Sequence, residues 1–145
     1  MSKSSPVFIC AAKRTPIGSF QGELASQSAP ELGAAVLRGV LEQAKLPPEA
    51  IDEVIMGCVL TAGVGQAPAR QALIKAGIPD SKQAMTVNKG CSSGLEAVLL
   101  GAQSIELGIS AAVLAGGMES MSQAPYIVPS LRNGARLGNT ENVDT

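Results

Sequence analysis

The 145-residue chain contains no histidine and no tryptophan, and its only aromatic residues are Phe8, Phe20 and Tyr126. Histidine is the commonest base beside a nucleophilic cysteine, so an enzyme that worked through a cysteine of this chain would need a base from elsewhere. Charged residues make up 16% of the sequence, below the usual quarter. We therefore expect part of the surface to lie against a partner.

Basic blocks, long apolar runs and clustered cysteines are also missing. Lys and Arg number 11 against 12 Asp and Glu, a balance that gives nucleic-acid binding little support. No apolar run reaches membrane-spanning length, and the polar start is too short for a signal peptide. Cys10, Cys58 and Cys91 are odd in number and widely spaced, which argues against a disulfide framework or a metal site. A reducing, cytoplasmic compartment fits this pattern best.

Short apolar runs alternate with helical patterns along the chain. Ser28 and Glu31 have capping-box spacing and predict a helix that starts at Ser28 and stops before Pro47-Pro48. A second helix is expected from about Pro68 to Gly77, and a third, mostly apolar and therefore buried nearly all round, between Gly94 and Gly108. The predicted strands are Val7–Ala12, Val54–Leu60, Ala84–Asn88 and Ala111–Ala115.

This alternation predicts an α/β fold of layered α-β-α type, a mostly parallel sheet with helices on both faces. The segment from Met118 to Thr145 has prolines, glycines and no convincing period, so we expect an irregular loop. It is interpreted as the start of an insertion or an oligomer contact.

Cys91 lies where a predicted strand ends and a helix starts, between Gly90 and Gly94. Glycines allow a tight bend and close approach of a substrate. The free N–H groups and partial positive charge of a helix start stabilise a thiolate, and the N–H of Cys91 is a candidate oxyanion donor. The residues alone leave a second reading open, in which Cys91 is a small buried apolar side chain at a tight turn.

The other candidate features favour structural roles. Cys10 and Cys58 lie in or next to apolar strands, which predicts core packing. The loop Gly63–Pro68 fits neither a dinucleotide fingerprint nor a P-loop and is expected to be a plain connection. Lys13-Arg14 is expected to be a solvated turn. Glu119 has no second carboxylate nearby, so a structural hydrogen bond is the favoured reading.

Five ordered motifs resemble those of thiolases and cover essentially the whole chain. The segment around Cys91 resembles the thiolase nucleophile motif, and the others resemble the N-terminal signature, the second helix, the segment after the fourth strand and the loop that holds thiolase tetramers together. In that order they are Asn88–Gly94, Arg14–Gly18, Gly65–Gln71, Ala115–Ser122 and Leu131–Gly138.

The resemblance implies a biosynthetic-type acetyl-CoA C-acetyltransferase, an acyltransferase of lipid metabolism. In this family the cysteine, here Cys91, takes an acyl group from acyl-CoA as a thioester. A second acetyl-CoA then attacks to give acetoacetyl-CoA and CoA, and the reverse reaction cleaves a 3-ketoacyl-CoA. The resemblance implies no metal and no prosthetic group, with coenzyme A entering as part of the substrate.

Family members are more than twice as long as this chain. The resemblance divides it into an N-terminal core half-domain over residues 1–118 and the start of the tetramerisation loop over residues 119–145. The activating histidine, a second cysteine and most of the coenzyme A pocket belong to the C-terminal half in the family. We therefore expect a complementing C-terminal polypeptide, a homodimer or homotetramer, and no activity of the isolated chain. The alternatives are another condensing enzyme, such as a ketoacyl synthase, and a non-catalytic lipid-transfer or assembly subunit.

Overall fold

A computed structural model describes residues 6–145 and contains a three-stranded parallel sheet in the order β2-β1-β3. The strands of this sheet are β1 (Glu53–Gly57), β2 (Gln83–Val87) and β3 (Val113–Gly117). The helices are α1 (Ala29–Ala44), α2 (Pro68–Lys75) and α3 (Ser93–Glu106), with a short 3₁₀ turn at Pro48–Ala50. None of these helices, in the described residues, is long and apolar enough to cross a membrane.

Helices cover both faces of the sheet, as predicted from the alternation of strands and helices. On one face, Val54 and Met56 belong to a buried cluster with the apolar sides of α1 and α2, including Leu37 and Leu73. Successive side chains of a strand point to opposite faces, so Gly57 lies on the other face, against the start of α3. The core is therefore largest between the sheet and the α1–α2 pair.

The start and end of α1 follow from local chemistry. The backbone N–H and the hydroxyl of Ser28 each donate to Oε2 of Glu31 at 2.8 Å, which confirms the predicted start. These hydrogen bonds hold the pKa of the Glu31 carboxyl below its ordinary value. Lys45 caps the end of the helix in a left-handed conformation, with φ of 54°, two residues before Pro47.

The predicted first strand, Val7–Ala12, is wrong. The segment has no regular secondary structure, no strand of the described residues pairs with it, and Phe8 and Ile9 are 73% and 81% exposed. The expected core packing of Cys10 is wrong for the same reason, because its thiol is exposed. An apolar run becomes a strand only where a neighbour accepts and donates its backbone hydrogen bonds.

The expectation that α3 is buried nearly all round is also wrong. Its buried positions are the small residues Ser93, Ala97, Gly101 and Ser104, which let the helix approach the sheet closely. Leu95 is 64% exposed, because within residues 6–145 nothing packs on the outer face of the helix.

The strand boundaries also differ from the prediction, by one residue at each end of β2 and by more in β1 and β3. β1 ends at Gly57 rather than Leu60, and β3 runs two residues later than expected, because the register with the neighbouring strands sets both ends. After β3 the chain is irregular as predicted, with 3₁₀ turns at Met121–Gln123 and Pro129–Asn133. A two-residue antiparallel pair, Tyr126–Ile127 (β4) with Val143–Asp144 (β5), was not predicted, since strands this short leave no pattern.

Candidate active site

Cys91 lies in the short turn between β2 and α3, and its side chain is exposed. The strands are parallel, so their carboxyl ends meet at one edge of the sheet, where α/β proteins place their ligand and catalytic groups. The loop that follows β1 and the segment that follows β3 reach the same edge. The predicted position of Cys91, between a strand end and a helix start, is confirmed.

Side chains of the turn itself hold its backbone in place. The buried hydroxyl of Ser93 accepts the N–H of Lys89 at 2.8 Å and donates to the carbonyl of Gly90 at 2.6 Å. The hydroxyl of Ser92 donates to the carbonyl of Lys89 at 2.9 Å. Gly90 has φ of 57°, a left-handed conformation that costs glycine little. The turn that carries Cys91 therefore has a defined shape.

Close contact between the end of β1 and the start of α3 also fixes the position of this turn. A Cβ atom on Gly57 would lie 2.6 Å from the carbonyl carbon of Ser93 and 2.7 Å from the backbone nitrogen of Gly94. Gly94 in turn faces the backbone of Gly117 on β3, whose nitrogen would lie 3.5 Å from a Cβ on Gly94. Glycines at these positions let the helix start, and Cys91 just before it, lie directly on the strand ends.

Cys58 has a different environment, although it lies at the same edge of the sheet. It is 1% exposed and lies in the core, as predicted. Burial, together with the negative charge of Glu119 and a hydrogen bond from the thiol to Glu119, raises the pKa of Cys58 to about 12. Cys58 is therefore a neutral thiol at physiological pH and does not supply a nucleophilic thiolate.

Glu119 forms structural hydrogen bonds, as expected. Its Oε2 accepts the N–H of Val59 at 2.8 Å and the N–H of Leu60 at 3.3 Å. Asn88 belongs to the turn between β2 and α3 that carries Cys91 (residues 88–92, the nucleophile turn). Its Nδ2 donates to the carbonyl of Val59, in the loop after β1, at 3.3 Å. The loop after β1 thus connects the end of β3 to the turn that carries Cys91.

The remaining predicted features have no special geometry. Lys13 and Arg14 are exposed as expected, although the structure has no turn at these residues, and the loop Gly63–Pro68 leads into α2 as a plain connection. Lys89 forms an ion pair with Glu96 at 2.6 Å, but Lys89 is 60% exposed and such pairs contribute little stability. No group of three or more acidic, cysteine or histidine side chains in residues 6–145 is arranged to hold a metal ion.

Residue-by-residue inspection of the sequence missed the contributions of Gly57, Asn88 and Ser93. An Asn two residues before a turn glycine is a signal for a local side-chain hydrogen bond, and here its Oδ1 accepts the N–H of Gly90 at 3.1 Å. Ser at a helix start is a comparable signal. The contact of Gly57 leaves no such signal, because it depends on the packing of α3 on the sheet.

Comparison with known proteins gives concordant matches over nearly the whole chain. Residues 7–145 match the family model described as "Thiolase, N-terminal domain". The chain is 53% identical over 144 residues to a cytosolic acetyl-CoA acetyltransferase of Gibberella zeae and 58% identical over 139 residues to an acetyl-CoA acetyltransferase of Pseudomonas aeruginosa. These matches cover 99% and 96% of this chain but only 36% and 35% of the two relatives.

Among solved structures, the chain is similar to the Acat5 thiolase of Ascaris suum, which was crystallised in complex with coenzyme A. The TM-score is 0.90 and the sequence identity is 46%. The similarity covers 94% of this chain and 35% of that one. The chain thus spans about a third of the length of the relatives it matches.

Proposed function

Because this chain belongs to the thiolase family, we propose that Cys91 is the nucleophile of an acyl transfer and carries the acyl group as a thioester. One observation carries the proposal. Of the three cysteines, only Cys91 is both exposed and part of a turn that side-chain hydrogen bonds hold at the carboxyl ends of the parallel strands. Cys58 is buried and neutral, and Cys10 lies on a segment without regular secondary structure that pairs with no strand of the described sheets.

The substrates we propose are acetyl-CoA and acetoacetyl-CoA, as the names of the acetyl-CoA acetyltransferase relatives suggest. The Cys91 sulfur forms a bond to the acyl carbon while the bond from that carbon to the CoA sulfur breaks, and CoA leaves as a thiol after taking a proton. A second acetyl-CoA loses a methyl proton, and its carbon attacks the thioester to give acetoacetyl-CoA and free Cys91. Coenzyme A enters as part of acetyl-CoA and leaves once as the free thiol and once within acetoacetyl-CoA; the Ascaris thiolase was crystallised in complex with coenzyme A, which supports this proposal.

The base for both proton transfers is proposed to lie outside these 145 residues, which contain no histidine. We infer a complementing C-terminal polypeptide that supplies it. Two exposed apolar surfaces support this inference because they are suited to burial: the side chains of Phe8 and Ile9, and the outer face of α3 with Leu95 and Leu99. The isolated chain is then expected to be inactive.

A homo-oligomer, dimer or tetramer, is the second partner that we propose. β2 is an edge strand of the described sheet, since it pairs only with β1, and Met85 on it is 39% exposed. An open strand edge with apolar side chains is suited to pairing with a second copy. We also propose a cytoplasmic location, since the Gibberella relative is named cytosolic and all three cysteines are free.

The decisive experiment is acylation of Cys91 in the complete assembly. The chain and its complementing part are incubated with acetyl-CoA, quenched in acid, digested and analysed by mass spectrometry. We expect one acetyl group on the peptide that contains Cys91, none after Cys91→Ser, and unchanged labelling after Cys10→Ser, the matched control at the other exposed cysteine. Absence of acetylation by any short acyl-CoA would favour a non-catalytic assembly or lipid-transfer role. Thiolysis of acetoacetyl-CoA by the isolated chain would contradict the need for a complementing part.

A further inference from the structure

A continuous path of hydrogen bonds runs from the end of β3 to the nucleophile turn. Glu119 accepts the N–H of Val59 at 2.8 Å, the carbonyl of Val59 accepts Nδ2 of Asn88 at 3.3 Å, and Oδ1 of Asn88 accepts the N–H of Gly90 at 3.1 Å. Gly90 is the residue before Cys91. Three segments that are distant in the sequence are therefore joined at the edge of the sheet that carries the candidate nucleophile.

Given Cys91 as the proposed nucleophile, we propose that Asn88 and Glu119 are positioning residues that hold Cys91 at the start of α3. Asn88 uses both ends of its amide, one on the loop after β1 and one on the turn. Glu119 anchors the loop that Asn88 contacts. Without Asn88 the turn loses its hydrogen bond to this loop, and without Glu119 the loop is no longer held to the end of β3. The internal hydrogen bonds through Ser92 and Ser93 remain in both cases.

The consequence for Cys91 follows from the position of its sulfur relative to the helix. The unpaired N–H groups and partial positive charge at a helix start favour a thiolate, and the effect falls off within one turn. Loosening the turn lets the sulfur move away from the start of α3, which slows its reaction with an electrophile. Lys89 on the turn and Glu96 on α3 are paired with each other at 2.6 Å and are unchanged in every variant described below.

Asp52 offers a matched control at the amino-terminal ends of the strands, opposite the end of the sheet that carries Cys91. It precedes β1, and its Oδ2 accepts the N–H groups of Ala111 and Ala112 before β3 at 2.8 Å and 3.2 Å. Asp52 therefore ties the beginnings of β1 and β3 together, as Glu119 ties their ends. Asp52→Asn weakens the hydrogen bonds between the beginnings of β1 and β3 and leaves the nucleophile turn unchanged.

The test measures the rate of alkylation of Cys91 by iodoacetamide at neutral pH in the Cys10→Ser chain, with folding checked by far-ultraviolet circular dichroism. Asn88→Ala and Glu119→Gln are each expected to lower this rate about threefold, in line with a helix-terminus effect. The double variant should lose no more than the larger single loss, since both residues act through one path.

Asp52→Asn should leave the alkylation rate unchanged, and Glu119→Asp, which keeps the carboxylate, should show a smaller loss than Glu119→Gln. Rates of Asn88→Ala and Glu119→Gln equal to the parent rate would overturn the proposal, as would an equal loss in Asp52→Asn or independent, multiplying losses in the double variant. Asn88 is exposed, so its variant is expected to fold; if Glu119→Gln does not fold, Glu119→Asp replaces it. Alkylation needs no acyl-CoA, so these results stand apart from the acetylation test of the proposed function.

Discussion

Replacing Gly57 with alanine adds only one methyl group but should displace the start of α3 and the nucleophile turn before it. The new Cβ would lie 2.6 Å from the carbonyl carbon of Ser93, where ordinary contacts begin at 3.4 Å. The two nearest atoms, the carbonyl carbon of Ser93 and the nitrogen of Gly94, belong to the backbone and cannot rotate away. The start of α3 would therefore have to move by about 0.8 Å, the difference between these two distances. Overpacking of this kind typically costs about 1–3 kcal/mol in the free energy of unfolding.

Two assays measure the consequence. In urea denaturation, a loss of about 2 kcal/mol lowers the midpoint by about 1 M for a chain of this size. In the complete assembly, we expect Cys91 acetylation to slow by about 10²-fold, the usual result of a misplacement near 1 Å at a reacting group.

Gly116→Ala is the matched control for this prediction. Gly116 lies on the neighbouring strand, paired with Met56, and its added Cβ would meet Met56 Sδ at an ordinary 3.7 Å. We expect its midpoint to stay within about 0.3 M of the parent, as for a tolerated substitution. Equal midpoints and equal acetylation rates for both glycine variants would refute the steric reasoning.

Three further predictions concern stability. Asp52→Asn should lower the free energy of unfolding at neutral pH but not in acid: backbone hydrogen bonds from Ala111 and Ala112 hold the pKa of Asp52 below 3.8, so the stability it contributes is present above that pH and is lost as the pH falls through the lower, folded-state pKa. Cys58→Ala should lose less stability than the parent as the pH rises above 9.0. The folded-state pKa of Cys58 is raised from 9.0 to about 12, so between these two pH values the thiol loses its proton in the unfolded parent chain but not in the folded one, which favours unfolding. Ser93→Ala should cost about 1–3 kcal/mol, because it removes the partner of two backbone groups in the turn.

Urea midpoints measured across the pH range check all three. The Asp52 prediction fails if the parent and the variant differ as much at pH 2 as at neutrality. Parallel alkaline curves for Cys58→Ala and the parent would contradict the assigned environment of that thiol. For Ser93, the comparison is Ser92→Ala, which loses one hydrogen bond at an exposed position and should cost less.

Much of the fold could be predicted because its signals are local. The Ser28–Glu31 pair, the prolines after α1 and the glycines that end α2 and α3 each act within a few residues, so they can be read without knowing what packs where. The position of Cys91 at a strand-to-helix turn was predictable for the same reason. The three wrong expectations, a strand at Val7–Ala12, core packing of Cys10 and an α3 buried nearly all round, assumed neighbours that residues 6–145 do not provide.

The sequence by itself determined where the helices and the three strands of the sheet lie and which cysteine stands in the turn between β2 and α3, because periodicity, caps and breakers act over short distances. Only the tertiary structure decided which apolar segments are covered, which glycine has no room for a methyl group, and which cysteine is neutral. The hydrogen bonds of Glu119 and Asn88 to Val59 span 60 and 29 residues of sequence and exist only because the parallel register brings three strand ends to one edge. The structure therefore places Cys91 in a turn braced by residues that no local pattern would have connected to it.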